Sequence, residues 1–433
     1  MIKNLHLVLI FLFNFFFTGM LFASNGDDDD KLKLSFSERT RLTVFDNSIS
    51  LNDDGDPWAF SRHKTSLGLK YTGLDKFDFN VKFTNESRVW FTPKTKESRF
   101  DEIFFDQLYV KWKTGVKVPL ELTLGRQNII LDEGFICLDG QPLTGSRSIY
   151  FNAARFDITI KKDHNITGFY SYIPHSDDIL PVMHEAELPQ ALEEQANVGL
   201  GLYYRGKINK NKLSLYYFLK NTKSNDSNPY ESKINALGAR MHIPLYDRMN
   251  FVFEGAYQFG KLESLDRSAF GGYAYLDYNL TNKTPFLTKL TLGSFYLSGD
   301  DPNTKKVEGW DPLWSRWPKW SESYIYTLII ENKGKVAYWS NISSLYASFK
   351  AKFTESISFQ TAFHHLMAVE DNTSDFCSGS GKNRGNLLSF RLNYKIDKNW
   401  SGHFLVENFE PGNYYSPTAD GYNWFRFELL FKI

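Results

Sequence analysis

In Phe77-Asp78-Phe79-Asn80-Val81-Lys82-Phe83-Thr84 every odd position is apolar and every even one polar, and the polar row continues through Glu86 and Arg88. A period of two puts successive side chains on opposite faces of an extended strand, one greasy and one wet. The pattern recurs along the chain. In residues 31–45 the apolar set is Leu32, Leu34, Phe36, Leu42 and Val44, and the intervening set is Lys33, Ser35, Ser37, Arg39, Arg41 and Thr43. Glu38 and Thr40 interrupt the apolar face there. Leu388, Phe390, Leu392 and Tyr394 alternate with Ser389, Arg391, Asn393 and Lys395. The chain ends the same way, Phe425, Phe427, Leu429, Phe431 and Ile433 against Arg426, Glu428 and Lys432.

A soluble β-sandwich also alternates, so the links between strands decide. Short links fall at 72–76, 113–118, 161–165, 206–211, 244–248, 281–286, 353–355 and 397–399. Long ones fall at 46–57, 92–102, 131–151, 174–195, 221–231, 299–341, 370–384 and 410–420, and the link near 261–267 is intermediate. Short turns on one rim and long loops on the other are how transmembrane antiparallel β-barrels are built, with the short side in the periplasm. The expectation is an all-β outer-membrane barrel of about 18 strands occupying residues 31–433. Trp90, Phe91, Trp112, Trp400 and Trp424 fall near strand ends, where amphipathic rings suit the bilayer interface. The strand-like terminus Phe431-Lys432-Ile433 is similar to a barrel-assembly signal, although such signals usually close on Phe.

Composition agrees. The 433 residues are 17% aromatic, and Lys plus Arg equals Asp plus Glu at 50 each, so no global charge points to nucleic acid. Beyond the N-terminus no run of roughly 20 apolar residues exists to make a spanning helix. Otherwise only a closed sheet can cross a bilayer, because every backbone N–H and C=O needs a partner there. At the N-terminus Lys3, the apolar stretch from Leu7 to Phe17 and Leu21-Phe22-Ala23 read as a signal peptide over residues 1–23, with an uncleaved anchor as the alternative. Residues 24–30, with the acidic run Asp27 to Asp30, read as a periplasmic tail. Cys137 and Cys377 are the two cysteines; export permits a disulfide, but their positions do not say that they meet. No Cys/His spacing suggests a metal site, and no cofactor is expected.

If the apolar face meets lipid, the other lines a lumen. By parity its cations include Arg39, Arg41, Arg62, Lys64, Lys82, Arg88, Lys111, Arg155, Arg240, Arg391, Lys395 and Arg426. Its acids include Glu86, Asp157, Glu254, Glu407 and Glu428. Rings of Arg and Lys attract anions, and guanidinium pairs carboxylates bidentately. The alternative is that cations and acids neutralise each other across strands and merely hydrate the wall.

Leu124-Gly125-Arg126-Gln127, leading through Gly134, Gly145, Arg147 and Ser148 to Asn152-Ala153-Ala154-Arg155-Phe156, resembles the alginate-export family of outer-membrane channels. Tyr296-Leu297-Ser298-Gly299-Asp300-Asp301-Pro302-Asn303 with Trp310-Asp311-Pro312-Leu313 is a second match. Glu407-Asn408-Phe409-Glu410-Pro411-Gly412-Asn413-Tyr414-Tyr415 is a third. The resemblance covers nearly all the mature chain. It implies an 18-stranded barrel passing an anionic polysaccharide outward through an arginine-lined pore, with Arg126, Arg155 and Glu407 carried over as pathway residues. Simple parity puts Arg126 in the row of Leu122 and Leu124; a bulge near Gly125 would be needed to turn it inward.

The partners expected are outer-membrane lipid, an anionic polysaccharide or other anionic solute, and periplasmic export proteins. A general or small-anion porin is the alternative. An enzyme is a weaker one: no Gly-x-Ser-x-Gly occurs, and the adjacent His364 and His365 point to opposite faces of a strand. The tryptophan-rich loop 299–341 could be a plug, a lid or a sugar-stacking platform, and Asp300-Asp301 a cation site or a solvated turn.

Overall fold

The computed structural model describes residues 31–48, 51, 57–96, 98, 102–114, 119–138, 151–183, 191–280, 288–315, 320–323, 330–331, 335–336, 340–371 and 378–433. The expected signal peptide, the acidic tail and Cys377 lie outside them.

Eighteen long antiparallel strands close into one barrel. They are β1 (Leu32–Phe45), β2 (Trp58–Leu74), β3 (Phe77–Thr92), β4 (Ile103–Lys113), β5 (Leu120–Gln127), β6 (Phe151–Lys161), β7 (His164–Ile173), β8 (Asn197–Ile208) and β9 (Asn211–Thr222). β10 (Ser232–Tyr246), β11 (Met249–Leu262), β12 (Leu265–Asn279), β13 (Lys289–Leu297), β14 (Ile342–Lys352), β15 (Ile357–Met367), β16 (Asn383–Lys395), β17 (Trp400–Pro411) and β18 (Tyr422–Lys432) complete it. Each pairs with its successor, and β18 returns to β1 with Glu428 opposite Arg41, so no open edge remains along the wall.

The period-two pattern fixes which side chains face lipid. Phe77, Phe79, Phe83, Leu124, Leu202 and Phe253 stand exposed on the outside, while their polar neighbours turn inward. Periplasmic turns are tight, as at Asp163 between β6 and β7 and Asn209 between β8 and β9, both in the left-handed region. Long loops occupy the other rim with one exception: β11 and β12 are joined there by Glu263-Ser264, with Glu263 at φ 52°. Phe91 and Trp112 face outward. Trp90 and Trp424 do not belong to an interfacial belt; they turn inward, Trp90 against Phe60 and Trp424 under Arg426. Nearness to a strand end sets height on the wall, whereas parity sets the face.

Two extracellular loops fold into the barrel and make its core. Residues 128–138 bring Ile129, Leu131, Phe135, Ile136 and Cys137 inside, and residues 298–315 bring Trp310, Leu313 and Trp314. Phe135 stacks on Trp310 with centroids 5.4 Å apart. Trp314 sits among Phe151, Phe169 and Phe218 and donates its indole N–H to Asn197 at 3.0 Å. Its seat requires Gly199, where a Cβ would lie 2.4 Å from the Trp314 ring.

Candidate functional site

Register assembles the inner face of β18, β1, β2 and β3 into a basic patch. Glu428 faces Arg41, Arg41 faces Arg62, and Arg62 faces Arg88, making one row across four strands. The adjacent row runs Arg39, Lys64 and Glu86, and Arg426 lies above Glu428 on β18. Like charges directly opposite one another destabilise a sheet, so three neighbouring arginines are a cost that the fold itself does not require. Part of it is offset by aromatic faces: Arg88 lies 4.8 Å from the Phe60 ring and 5.2 Å from Trp90, and Arg426 lies 4.5 Å from Trp424. Arg41 pairs with Glu428, which also meets His403 at 3.2 Å.

A further carboxylate comes from the long loop. Glu322 lies 2.8 Å from Arg426 and 3.8 Å from Arg391. Its loop segment is docked by Glu407, which accepts from Ser321 Oγ at 2.6 Å and from the backbone N–H of Glu322 and Ser323, each at 2.9 Å. Glu407 is therefore buried beneath the loop and holds it, rather than bordering an open path. Burial opposes the charge of Glu322, but Arg426 and Arg41, a hydrogen bond from Arg426, and Arg391 outweigh it and hold the carboxyl below its ordinary range. Among the described residues of this patch Arg39, Arg41, Arg62, Lys64, Lys82, Arg88 and Arg426 stand with Glu86, Asp106, Glu428 and Glu322, seven cations to four acids. Arg391, half exposed, donates to Asn393 at 2.9 Å and reaches His403 at 3.3 Å.

Several other cations of the inner face are matched to neighbouring acids, while the exposed Lys395 at the periplasmic end of β16 pairs with none among the described residues. Lys82 pairs with Asp106 at 2.6 Å, Lys111 with Glu121 at 2.8 Å, and Arg155 with Asp157 at 2.8 Å. Arg240 reaches Glu133 at 2.5 Å and Glu254 at 3.7 Å. Arg205 and Tyr203 hold Asp132 at 2.9 and 2.5 Å, so two acids of the inserted loop 128–138 are tied to β8 and β10. Mutual neutralisation thus describes Lys82, Lys111, Arg155 and Arg240, whereas the excess of cations is concentrated on β18 and β1–β3.

Arg126 is not in the lumen. It stays in the row of Leu108, Leu124 and Asn152 on the outward side of the register. Gly125 is indeed irregular, with φ +122° and a Cβ position that would fall 2.2 Å from the Leu108 carbonyl oxygen. The register to both neighbouring strands runs through Gly125 without a shift, so no bulge turns Arg126 inward, and it lies in the seam between β4 and the segment after β7, where Val182–Met183 pairs with Ile103 and Phe104. There its fully buried guanidinium donates to both oxygens of Asp177 at 2.7 and 3.1 Å, to the Phe105 carbonyl at 3.0 Å and to Asn152 at 3.0 Å. Asp177, Glu322, Asp132 and Glu133 all lie in loops, where a period of two assigns no face, and so parity could not find them.

The other candidates resolve simply. His364 is buried inside, stacked on Tyr346, while His365 bonds Asn386 on the other face at 2.9 Å. Asp301 and Asp300 close a turn, accepting from Asn303 N and Glu308 N. Among the described residues no group of three or more His, Cys, Asp or Glu is placed to hold a metal.

Comparison with known proteins adds the family. A family described as alginate export matches residues 36–427. No curated protein matches the chain. OccAB2 of Acinetobacter baumannii superposes with TM-score 0.59 at 12% identity, covering 94% of this chain and 99% of that one. OccK11 (OpdR) of Pseudomonas aeruginosa does so at 0.57 and 11%, covering 93% and 96%. OpdK of the same organism, solved with vanillate, does so at 0.56 and 10%, covering 93% and 98%. At such identity these likenesses concern the fold alone. With the family match spanning almost the whole barrel, the chain belongs to the alginate export family and is an outer-membrane β-barrel channel.

Proposed function

We propose that this channel passes an anionic polysaccharide or oligosaccharide, without catalysing a reaction, along the basic face of β18 and β1–β3. The observation that carries the reading is the uninterrupted row Arg41, Arg62 and Arg88, with Arg39 and Lys64 in the adjacent row, which brings five cations together on the inner face of three neighbouring strands. Guanidinium groups on adjacent strands, about 4.8 Å apart, offer a polyanion several equivalent carboxylate sites in sequence. Conduction needs binding strong enough to admit the solute and weak enough to release it, and equivalent neighbours meet both demands by letting each carboxylate step to the next. Arg391 and Arg426 continue the path toward β16. Export proteins of the periplasm would deliver the polymer to the short-turn rim. A second reading, a porin for small organic anions, is favoured by the two inserted loops, which fill the β6–β15 side and narrow the lumen.

The experiment is the reversal potential of the purified protein in a planar bilayer under a salt gradient, repeated with polyuronate on one side. Anion preference with block by the polymer supports polysaccharide passage. Anion preference with block by small carboxylates alone supports the second reading. Absence of anion preference overturns both.

A further inference from the structure

Toward the extracellular rim, the inner face that carries the arginine row on β1–β3 ends in aromatic side chains. Beyond Arg41 on β1 comes Phe45, beyond Arg62 on β2 come Phe60 and Trp58, and beyond Arg88 on β3 comes Trp90. Phe45 faces Trp58 across the first pair of strands, and Phe60 faces Trp90 across the second. The two phenylalanines are buried, whereas the two indoles are only half-buried against them. Trp58 stacks on Phe45 with centroids 5.5 Å apart and meets Trp90 edge to face at 5.1 Å. Trp90 in turn leans on Phe60 at 4.9 Å.

Two cations border these rings. Arg88 lies on the lumen side, 5.2 Å from the Trp90 centroid. From the loop after β3, Lys96 brings its ammonium to 4.5 Å from the Trp58 centroid and 5.3 Å from that of Trp90. Lys96 is itself exposed, so the angle between the two indoles that receives it opens to water at the rim. Rings that anchor a barrel in the bilayer face outward, toward the headgroups. Trp58 and Trp90 share the inward face of Arg62 and Arg88 and contribute nothing to that anchoring. Packing of the wall accounts for the buried Phe45 and Phe60. It does not account for two large apolar rings left partly in water, where their exposed surface is unfavourable.

We propose that Trp58 and Trp90, flanked by Lys96 and Arg88, form a stacking subsite for one uronate unit at the extracellular end of the basic face. The subsite rests on the polyanion reading above and names the substrate class of that path, a polymer of acidic sugars. A pyranose ring presents C–H groups on its faces and polar groups at its edge. The face packs on an indole as another apolar ring would, while the edge carboxylate reaches the neighbouring ammonium or guanidinium. Lys96, a compact charge on a flexible stem, exchanges its ring contact for that carboxylate. Trp90 lies two residues beyond Arg88, about 7 Å along the strand, close to the length of one sugar unit. A chain with one carboxylate on Arg88 therefore brings its next ring to the indoles.

The test compares block of single-channel current by polyuronate with block by polyacrylate, a polycarboxylate that carries no sugar ring. Trp58→Leu and Trp90→Leu are made separately, so that one suffices if the other fails to insert, each beside its phenylalanine counterpart. Folding is verified by heat-modifiable gel migration. Each leucine variant is expected to weaken polyuronate block about fivefold and to change polyacrylate block by less than about twofold. The phenylalanine variants, which keep a ring, are expected to stay within about twofold of the wild type for both polymers. Equal weakening for the two polymers, or none for polyuronate, overturns the stacking subsite and leaves the basic path standing. A wild type that neither polymer blocks overturns the basic path itself, and the subsite with it.

Discussion

The Glu322 carboxylate lies 2.8 Å from Arg426, so an acid on a loop already occupies one end of the basic face along which anions are proposed to pass. It is held there by Glu407, which accepts from the Ser321 hydroxyl and the backbone N–H groups of Glu322 and Ser323, and by attraction to Arg391. The first prediction follows directly. Glu322→Gln keeps the shape and removes the charge, and single-channel recording is expected to show anion conductance raised about twofold with a reversal potential shifted further toward the anion limit. Unchanged selectivity would place Glu322 away from the ion path.

The same contact has a defined acid response. The carboxyl of Glu322 is held below its ordinary value of 4.5 by its arginines, so docking is stabilised by the charged form. Such stabilisation is fully present above the free value and is lost as pH falls through the depressed one. Conductance and protease resistance of the loop are therefore expected to stay constant from neutral pH down to 4.5 and to change only at more acid pH. A transition centred above 4.5 would show that another group controls docking.

Neutralising the arginine row tests the transport path. Arg62→Gln with Arg88→Gln is expected to weaken polyuronate block about tenfold, which is ~1.4 kcal/mol of binding. Lys111→Gln, whose cation is already matched by Glu121, is expected to change block by less than about twofold. Equal effects from the two would indicate that block reports total charge rather than this row.

Arg126 and Asp177 predict a structural phenotype instead. Both side chains are fully buried, and removing one partner strands the other charge, typically at ~3–5 kcal/mol. Asp177→Ala is expected to lower the temperature of heat-modifiable unfolding while leaving ion selectivity as in the wild type. A selectivity shift without loss of stability would return Arg126 to the lumen.

Trp314 anchors the inserted loop through a ring seat that only a glycine at 199 leaves open. Trp314→Ala is expected to cost ~3–5 kcal/mol of loop docking and to expose residues 308–315 to protease, with the barrel strands still protected. Gly199→Val is expected to act alike by filling the seat from the wall side.

The order and period of the strands, the faces of their side chains and the difference between the two rims follow from the sequence alone. Alternation is a local consequence of extended backbone, and only a closed sheet reconciles so many alternating strands with a bilayer. The inward placement of Arg39, Arg41, Arg62 and Arg88 was legible for that reason. Whether a given cation is neutralised was not, because it depends on which strand lies beside it and on acids from loops. Arg155 meets Asp157 two residues away, but Arg240 meets Glu133 across more than 100 positions and Arg426 meets Glu322 across a similar distance. Arg126 shows the limit most sharply: its neighbours in sequence are strand residues, yet its role is set by Asp177 on a segment that fills the seam beside β4. Parity assigns a side chain to a face, and only closure of the barrel, with the loops folded into it, decides what that side chain meets there.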